Sequence, residues 1–145
     1  MAVGEMLDTD GTQLLDAIAI GYEVGIRVGE ALGTTHYEKW HTTGTAGTFG
    51  ATAATSRLLG LSTQETLSAI GSAGTMTAGL WEFLVDGAMS KQLHPAKAAH
   101  DGILAALLAQ QKFTSASQIL TGEKGVIAAM SKSPSIDQLT NNLSS

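Results

Sequence analysis

All four histidines, His36, His41, His94 and His100, fall in two short segments of a 145-residue chain that is otherwise poor in side chains suited to catalysis. The second segment, Met89 to His100, adds Lys91 and Lys97 and has no carboxylate between Asp86 and Asp101. It is locally basic within an acidic protein. Pro95 reads as the first residue of a helix with His94 at its N-cap. The free N–H groups and dipole of such a helix end favour an anion, and Lys91 just upstream supplies a full positive charge. A carboxylate-bearing ligand suits this chemistry. The same residues also have ordinary structural readings. Lysines near a helix start are usually solvated, and His94 can serve simply as the N-cap. Lys97 and His100 are read that way, and Tyr37 and Trp81 as packing residues. Lys91 and His41, the latter next to Trp40 and ahead of a Gly-rich helix start, stay open between site and scaffold.

Two other chemistries fit poorly. The run Gly44-Thr45-Ala46-Gly47-Thr48-Phe49-Gly50 has glycine every third residue, but lacks both G-x-G-x-x-G and a Walker lysine. Glycine at that spacing clears one helix face for close packing. The histidine spacings of five and six residues match neither H-E-x-x-H nor a facial triad, so no metal is expected. No cofactor is expected either.

The elements that must position these residues all read as helices. Asp10 and Gln13 form a D-x-x-Q capping pattern ahead of a helix to about Leu32, with Leu15, Ile18, Tyr22 and Ile26 at helical spacing. Its polar residues Asp16, Glu23, Arg27 and Glu30 make one narrow stripe, with Glu23 and Arg27 at the favourable i,i+4 spacing. Such a helix is expected to be buried on most sides, to stop at Gly33, and to lead into an irregular loop over Thr34 to Thr43. A Gly/Ala-rich helix from Gly44 to Leu59 presents Ala46, Phe49 and Ala53 at three- to four-residue intervals. Gly60 ends it. Ser62 and Glu65 form a capping box for the next helix, which carries Leu67, Ile70 and Gly74 and fades near Gly79. The helix opened by His94-Pro95 runs to about Lys112, with Ala99, Ile103 and Leu107 as its core stripe. Ser115 with Gln118 and Ser135 with Gln138 resemble further capping boxes, separated by Gly122 and Gly125, and Asn141 to Ser145 should fray. No stretch alternates apolar and polar residues, and no repeat or low-complexity linker divides the chain. The expected fold is all-α, a compact bundle of about five to seven helices in one domain over residues 1–145.

Composition narrows the partners. Hydrophobic residues make up 43% and charged residues 14%, a balance suited to burial rather than disorder, with apolar surface left for another subunit or segment. The formal net charge of -5 repels phosphate backbones, so nucleic-acid binding is not expected. With no cysteine, disulfides, thiolate zinc sites and protein-ligated iron–sulfur clusters are excluded. Met1 to Asp10 does not read as a signal peptide, and no apolar stretch is long enough to cross a membrane. A cytoplasmic location is the default expectation.

Several blocks carry a resemblance: Gly21-Tyr22-Glu23-Val24, then His41-Thr42-Thr43-Gly44-Thr45-Ala46-Gly47-Thr48-Phe49-Gly50-Ala51, Leu58-Leu59-Gly60-Leu61, and Lys91-Gln92-Leu93-His94-Pro95-Ala96-Lys97-Ala98-Ala99-His100-Asp101-Gly102. Together, from about residue 12 to Ile127, they resemble MmgE/PrpD proteins. That family includes 2-methylcitrate dehydratase, cis-aconitate decarboxylase and iminodisuccinate epimerase, which act without metal on small di- and tricarboxylic acids. Its members are typically homodimers with a large helical domain and a smaller α+β lid domain. By motif, His41 matches the family's active-site histidine ahead of the Gly-rich helix, and Lys91 the lysine of its K-x-L-H block. The resemblance implies that Lys91 holds a substrate carboxylate and His41 binds it or relays a proton. His94 lies in the matching block and is assigned a structural role first.

The family's aspartate-rich D-F-D-D-type motif and its following histidine are not in this sequence, and neither is the lid domain. Two expectations follow. The chain is either a lyase fragment whose His41 and Lys91 line a pocket completed by a complementary chain or segment, or a non-catalytic helical module used for interaction or dimerisation. Dehydration, decarboxylation and epimerisation share such a basic pocket, and 2-methylcitrate dehydratase-like chemistry is the default expectation.

Overall fold

In the computed structural model, which describes residues 1–143, seven α-helices form the fold: α1 (Ala2–Met6), α2 (Gly11–Tyr37), α3 (Thr42–Leu58), α4 (Thr63–Met76), α5 (Phe83–Asp86), α6 (Leu93–Gln110) and α7 (Val126–Met130). Two single 3-10 turns, Met89–Gln92 and Ile136–Leu139, complete the regular structure. The all-α expectation holds: among the described residues there is no strand, and one antiparallel bridge joins Trp40 to Leu80.

Both expected capping boxes form. Asp10 accepts from the Gln13 amide at 2.9 Å while its own amide donates to the Gln13 side chain, and Ser62 and Glu65 repeat the arrangement at the start of α4. Each satisfies amides that a helix start leaves free. The Glu23–Arg27 ion pair is also present at 2.6 Å. Arg27 reaches further, donating to the carbonyls of Gln138 and Asn141 and so fastening the C-terminal segment to α2.

Helix α3 is the centre of the bundle, with α2 and α6 packed along it and α4 against α6 and α3. The small residues make this possible. A Cβ at Gly50 would lie 2.7 Å from the carbonyl oxygen of Gly21, so α2 and α3 cross nearly backbone to backbone there. The buried hydroxyls of Thr48 and Thr52 donate to the carbonyls of Gly44 and Thr48 one turn back, which leaves no unpaired polar group at those two side chains in the tightly packed centre. The core gathers Val28, Ala31, Leu32, Ala46, Phe49, Ala73, Ala105, Val126 and Ile127.

Several expectations are corrected. Gly33 does interrupt the first helix, but the long irregular loop expected after it is absent. Gly33 adopts φ 69° and ψ -176° inside α2, and another helical turn follows to Tyr37, so the expected loop over Thr34 to Thr43 shrinks to a short turn. The carbonyls freed at the kink are taken by the tail: Ser135 N–H donates to Ala31 and the Ser131 hydroxyl to Leu32. Nor is the large apolar stripe of α2 core. Leu15, Ile18, Tyr22 and Ile26 are 39 to 69% exposed, because the close crossing with α3 turns the small face of α2 inward. In α6 the same preference buries Ala98, Gly102, Ala105, Ala106 and Ala109 rather than Ala99. The boxes expected at Ser115 and Ser135 do not form. Ser115 donates instead to the Ser68 carbonyl, residues after it run in turns, and Ser135 precedes a 3-10 turn without a side-chain cap. Asn141 to Leu143 form a turn, and the rest of the expected fraying end, Ser144 and Ser145, lies outside the described residues.

Candidate functional site

The start of α6 differs from its sequence reading. Leu93 is its first residue, Gln92 is the N-cap, and the 3-10 turn Met89–Gln92 runs directly into it. Pro95 therefore sits at the third helical position, and His94 is not a cap. The expected free helix end is occupied by this preceding turn. His94 instead turns its ring toward α3, where its Nδ1 lies 2.9 Å from Nδ1 of His41.

His41 is held there by its backbone. Its N–H donates to the Gly79 carbonyl at 2.9 Å, and its own carbonyl accepts from the amides of Gly44 and Thr45 as the N-cap of α3. Trp81 N–H donates to the Lys39 carbonyl, so residues 39–41 and 79–81 lie antiparallel around the Trp40–Leu80 bridge. This pairing brings Trp81 against the His41 ring at 4.4 Å between centroids. Phe83 and Trp81 lie 5.7 Å apart, Phe83 meets His94 edge-on, and Tyr37 meets Trp81 edge-on. The two imidazoles thus sit in an aromatic setting with the His41 ring buried and His94 half-buried. Space for the pair comes from a missing side chain: a Cβ at Gly44 would collide with the Ala78 carbonyl oxygen and press on Cβ of His94.

Burial lowers the pKa of His41, and the nearby charges of His94 and Lys91 lower it further. Lys91 is therefore close enough for its ammonium group to act on His41, although its side chain stays exposed. A positive group near a His41 imidazole whose pKa is lowered is an arrangement that can hold an anion and donate hydrogen bonds to it.

Lys97, His100 and His36 all bond within the fold. Lys97 donates to the Met76 carbonyl at 2.7 Å, capping the C-terminus of α4, and pairs with the buried Asp101 one turn along α6. His100 donates from Nδ1 to the other Asp101 oxygen. Burial alone would raise the Asp101 pKa, but the Lys97 and His100 hydrogen bonds outweigh it and leave it lowered. His36 is fully buried; Nδ1 lies 3.2 Å from the Met130 carbonyl and Nε2 2.8 Å from the Thr45 hydroxyl. Since a carbonyl only accepts, Nδ1 carries the proton and Nε2 accepts from Thr45. Among the described residues, no three His, Asp or Glu side chains gather closely enough to hold a metal ion.

Sequence reasoning singled out His41 and Lys91, read His94 as an N-cap, and did not single out Phe83, whose ring meets His94. The signal for His94 lay in two glycines, Gly44 and Gly79, that line its slot from distant positions in the chain.

The chain is thus an all-α helical domain packed through small residues, with the His41–His94 imidazole pair at one edge. Comparison with known proteins makes this specific. The MmgE/PrpD N-terminal domain matches residues 1–139, and the chain belongs to that family. It is similar to a cis-aconitate decarboxylase-like protein, oryM, of Aspergillus oryzae (strain ATCC 42149 / RIB 40), 36% identical over 122 residues. The match covers 83% of this chain and 25% of the relative, so the chain spans about a quarter of the length of that relative.

Proposed function

We propose that His41 and Lys91, with His94 behind His41, form the carboxylate-holding part of a metal-independent lyase site for small di- and tricarboxylic acids. The observation that carries this reading is the buried His41 imidazole, bonded to a second imidazole and close enough to Lys91 for that charge to depress its pKa. Loss of water or carbon dioxide next to a carboxylate builds negative charge on the substrate. Lys91 holds a carboxylate and His41 donates a hydrogen bond or relays a proton as that charge develops. The resemblance of the chain to a cis-aconitate decarboxylase-like protein makes decarboxylation a candidate beside 2-methylcitrate-type dehydration. The same reading places the protein in the cytoplasm, in contact with soluble carboxylic acids.

The site is open. Lys91 is exposed, and so are Leu84, Val85, Met89 and Leu93 in the segment that carries Phe83 and His94. Apolar side chains around an ionic site are suited to covering by another segment or subunit, which would exclude water and strengthen the electrostatics. The chain alone is therefore expected to bind the acids and turn them over poorly. Titration with cis-aconitate, citrate and methylcitrate, followed through the histidine NMR signals, tests this; an unmoved His41 at millimolar ligand would sink it. Rapid turnover by the isolated chain would instead refute the incompleteness of the site.

A second reading is favoured by one observation, the exposed apolar face of α2. Leu15, Ile18, Tyr22 and Ile26 line one side of that helix, next to an open apolar groove of about 710 Å³ between α2 and α3. On this reading the chain is an interaction or dimerisation module, and α2 is its contact surface.

A further inference from the structure

We infer that His94 is a positioning residue for His41: its Nδ1–H donates to Nδ1 of His41 and holds His41 in the tautomer that carries its proton on Nε2. The distance of 2.9 Å between the two Nδ1 atoms permits one proton between them and forbids two. Either ring can be the donor on geometry alone. Burial decides which. His41 is 8% exposed, whereas His94 is half-buried at the start of α6, so positive charge on the pair is better solvated at the His94 ring, which places the shared Nδ1–H there. With the Nδ1–H on His94, His41 must accept through Nδ1 and keep its own hydrogen on Nε2.

The position of His94 supports a built arrangement. Its ring rests over Gly79, whose φ of 142° disfavours any other residue, and its Cβ over Gly44, so the backbone is shaped to admit this side chain. Among the described residues, no hydrogen bond occupies Nε2 of His41. That atom is the one left to meet a ligand. The consequence deepens the carboxylate-site reading and rests on it: His41 presents an N–H donor, suited to a carboxylate or a developing enolate oxygen, rather than a lone pair suited to abstracting a proton.

The test uses the full chain with 15N-labelled histidine. Two-bond 1H–15N correlation spectra of the ligand-free protein report which ring nitrogen is protonated, and His36, whose Nδ1 faces a carbonyl, supplies an internal example of the opposite tautomer. The expected result is an Nε2–H pattern for His41 in the wild type. His94→Phe should release it to the mixed pattern of a free imidazole, and His94→Asn, whose amide can donate to Nδ1, should restore it. An Nδ1–H pattern in the wild type, or a His41 pattern unchanged in H94F, overturns the inference. If H94F does not fold by circular dichroism, the wild-type spectrum still decides. Citrate is added afterwards, as a separate arm. H94F should weaken its binding about tenfold, the scale of one charge-assisted hydrogen bond, while H94N loses less. Should the ligand-free tautomer be as stated and citrate move no histidine, the carboxylate-site reading fails and the positioning of His41 by His94 stands.

Discussion

The hydroxyl of Thr45 donates to Nε2 of the buried His36 at 2.8 Å, tying the last turn of α2 to the first turn of α3. Because Nδ1 of the same ring donates to the Met130 carbonyl, His36 must be neutral for Nε2 to accept. Burial lowers its pKa below the ordinary 6.5, and the Met130 hydrogen bond only partly opposes this. The sign of the linkage follows. Above about pH 6.5 both folded and unfolded chains carry a neutral imidazole and the full stability is present. As pH falls below that value the unfolded chain takes up the proton first, and stability is lost until the folded pKa is reached. His41, lowered for a similar reason, adds to the effect. Urea unfolding at pH 7.5 and pH 5.0 should show a lower midpoint in acid. His36→Phe should flatten the part due to His36, while costing about 1–3 kcal/mol at neutral pH because the Met130 carbonyl loses its partner.

Lys91→Ala separates binding from folding. The side chain is exposed and holds no structural hydrogen bond among the described residues, so stability should change by no more than about 0.5 kcal/mol. Citrate affinity should drop about tenfold through loss of a charge-assisted contact. The His41 pKa should also rise, since the Lys91 charge is one of the influences that lower it. An NMR titration of the variant measures both. A His41 titration curve that does not move would mean that Lys91 lies too far from His41 to share a ligand with it.

How much of this was legible from sequence depended on which forces set each feature. Local signals read well: Asp10–Gln13 and Ser62–Glu65 act within one turn, and their capping boxes form as expected. Features set by packing read poorly. The stripe Leu15, Ile18, Tyr22 and Ile26 has the spacing of a core face, yet the close crossing at Gly21 and Gly50 made the small face the buried one. Hydrophobic periodicity records where apolar residues lie on a helix, not which face the neighbour can approach most closely. His94 was misread for a related reason. A proline one residue on suggested a helix start, but the helix begins at Leu93, and the true determinants of the His94 position are glycines 50 and 15 residues earlier, Gly44 and Gly79.

Gly44→Ala tests that last point. The added methyl meets the Ala78 carbonyl, a backbone atom that cannot swing aside, and crowds His94. The segment carrying Gly79 and Leu80 would have to move, and with it the acceptor for the His41 amide. The expected cost is about 1–3 kcal/mol, the usual range for overpacking a close contact. The more telling readout is the ring current of Trp81 on the His41 protons, which should shrink as the rings separate. A variant as stable as wild type, with unchanged His41 shifts, would show that the slot tolerates a side chain.

The apolar face of α2 gives the clearest contest between the two functional readings. Tyr22 and Ile26 are 69 and 55% exposed on a helix whose inner face is already satisfied, so replacing them with charge leaves the core untouched. Tyr22→Lys with Ile26→Glu should therefore preserve the helical circular dichroism signal and keep stability within about 1 kcal/mol. If α2 is a contact surface between copies, sedimentation velocity should show the wild type associating with rising concentration and the double variant remaining monomeric. Citrate binding at His41 should be unaffected in that variant, because Tyr22 and Ile26 belong to a face of α2 distinct from the His41–His94 pair. Should the double variant lose citrate binding as well as association, the site would depend on a second copy, and the carboxylate-site and interaction readings would describe one assembly rather than two alternatives.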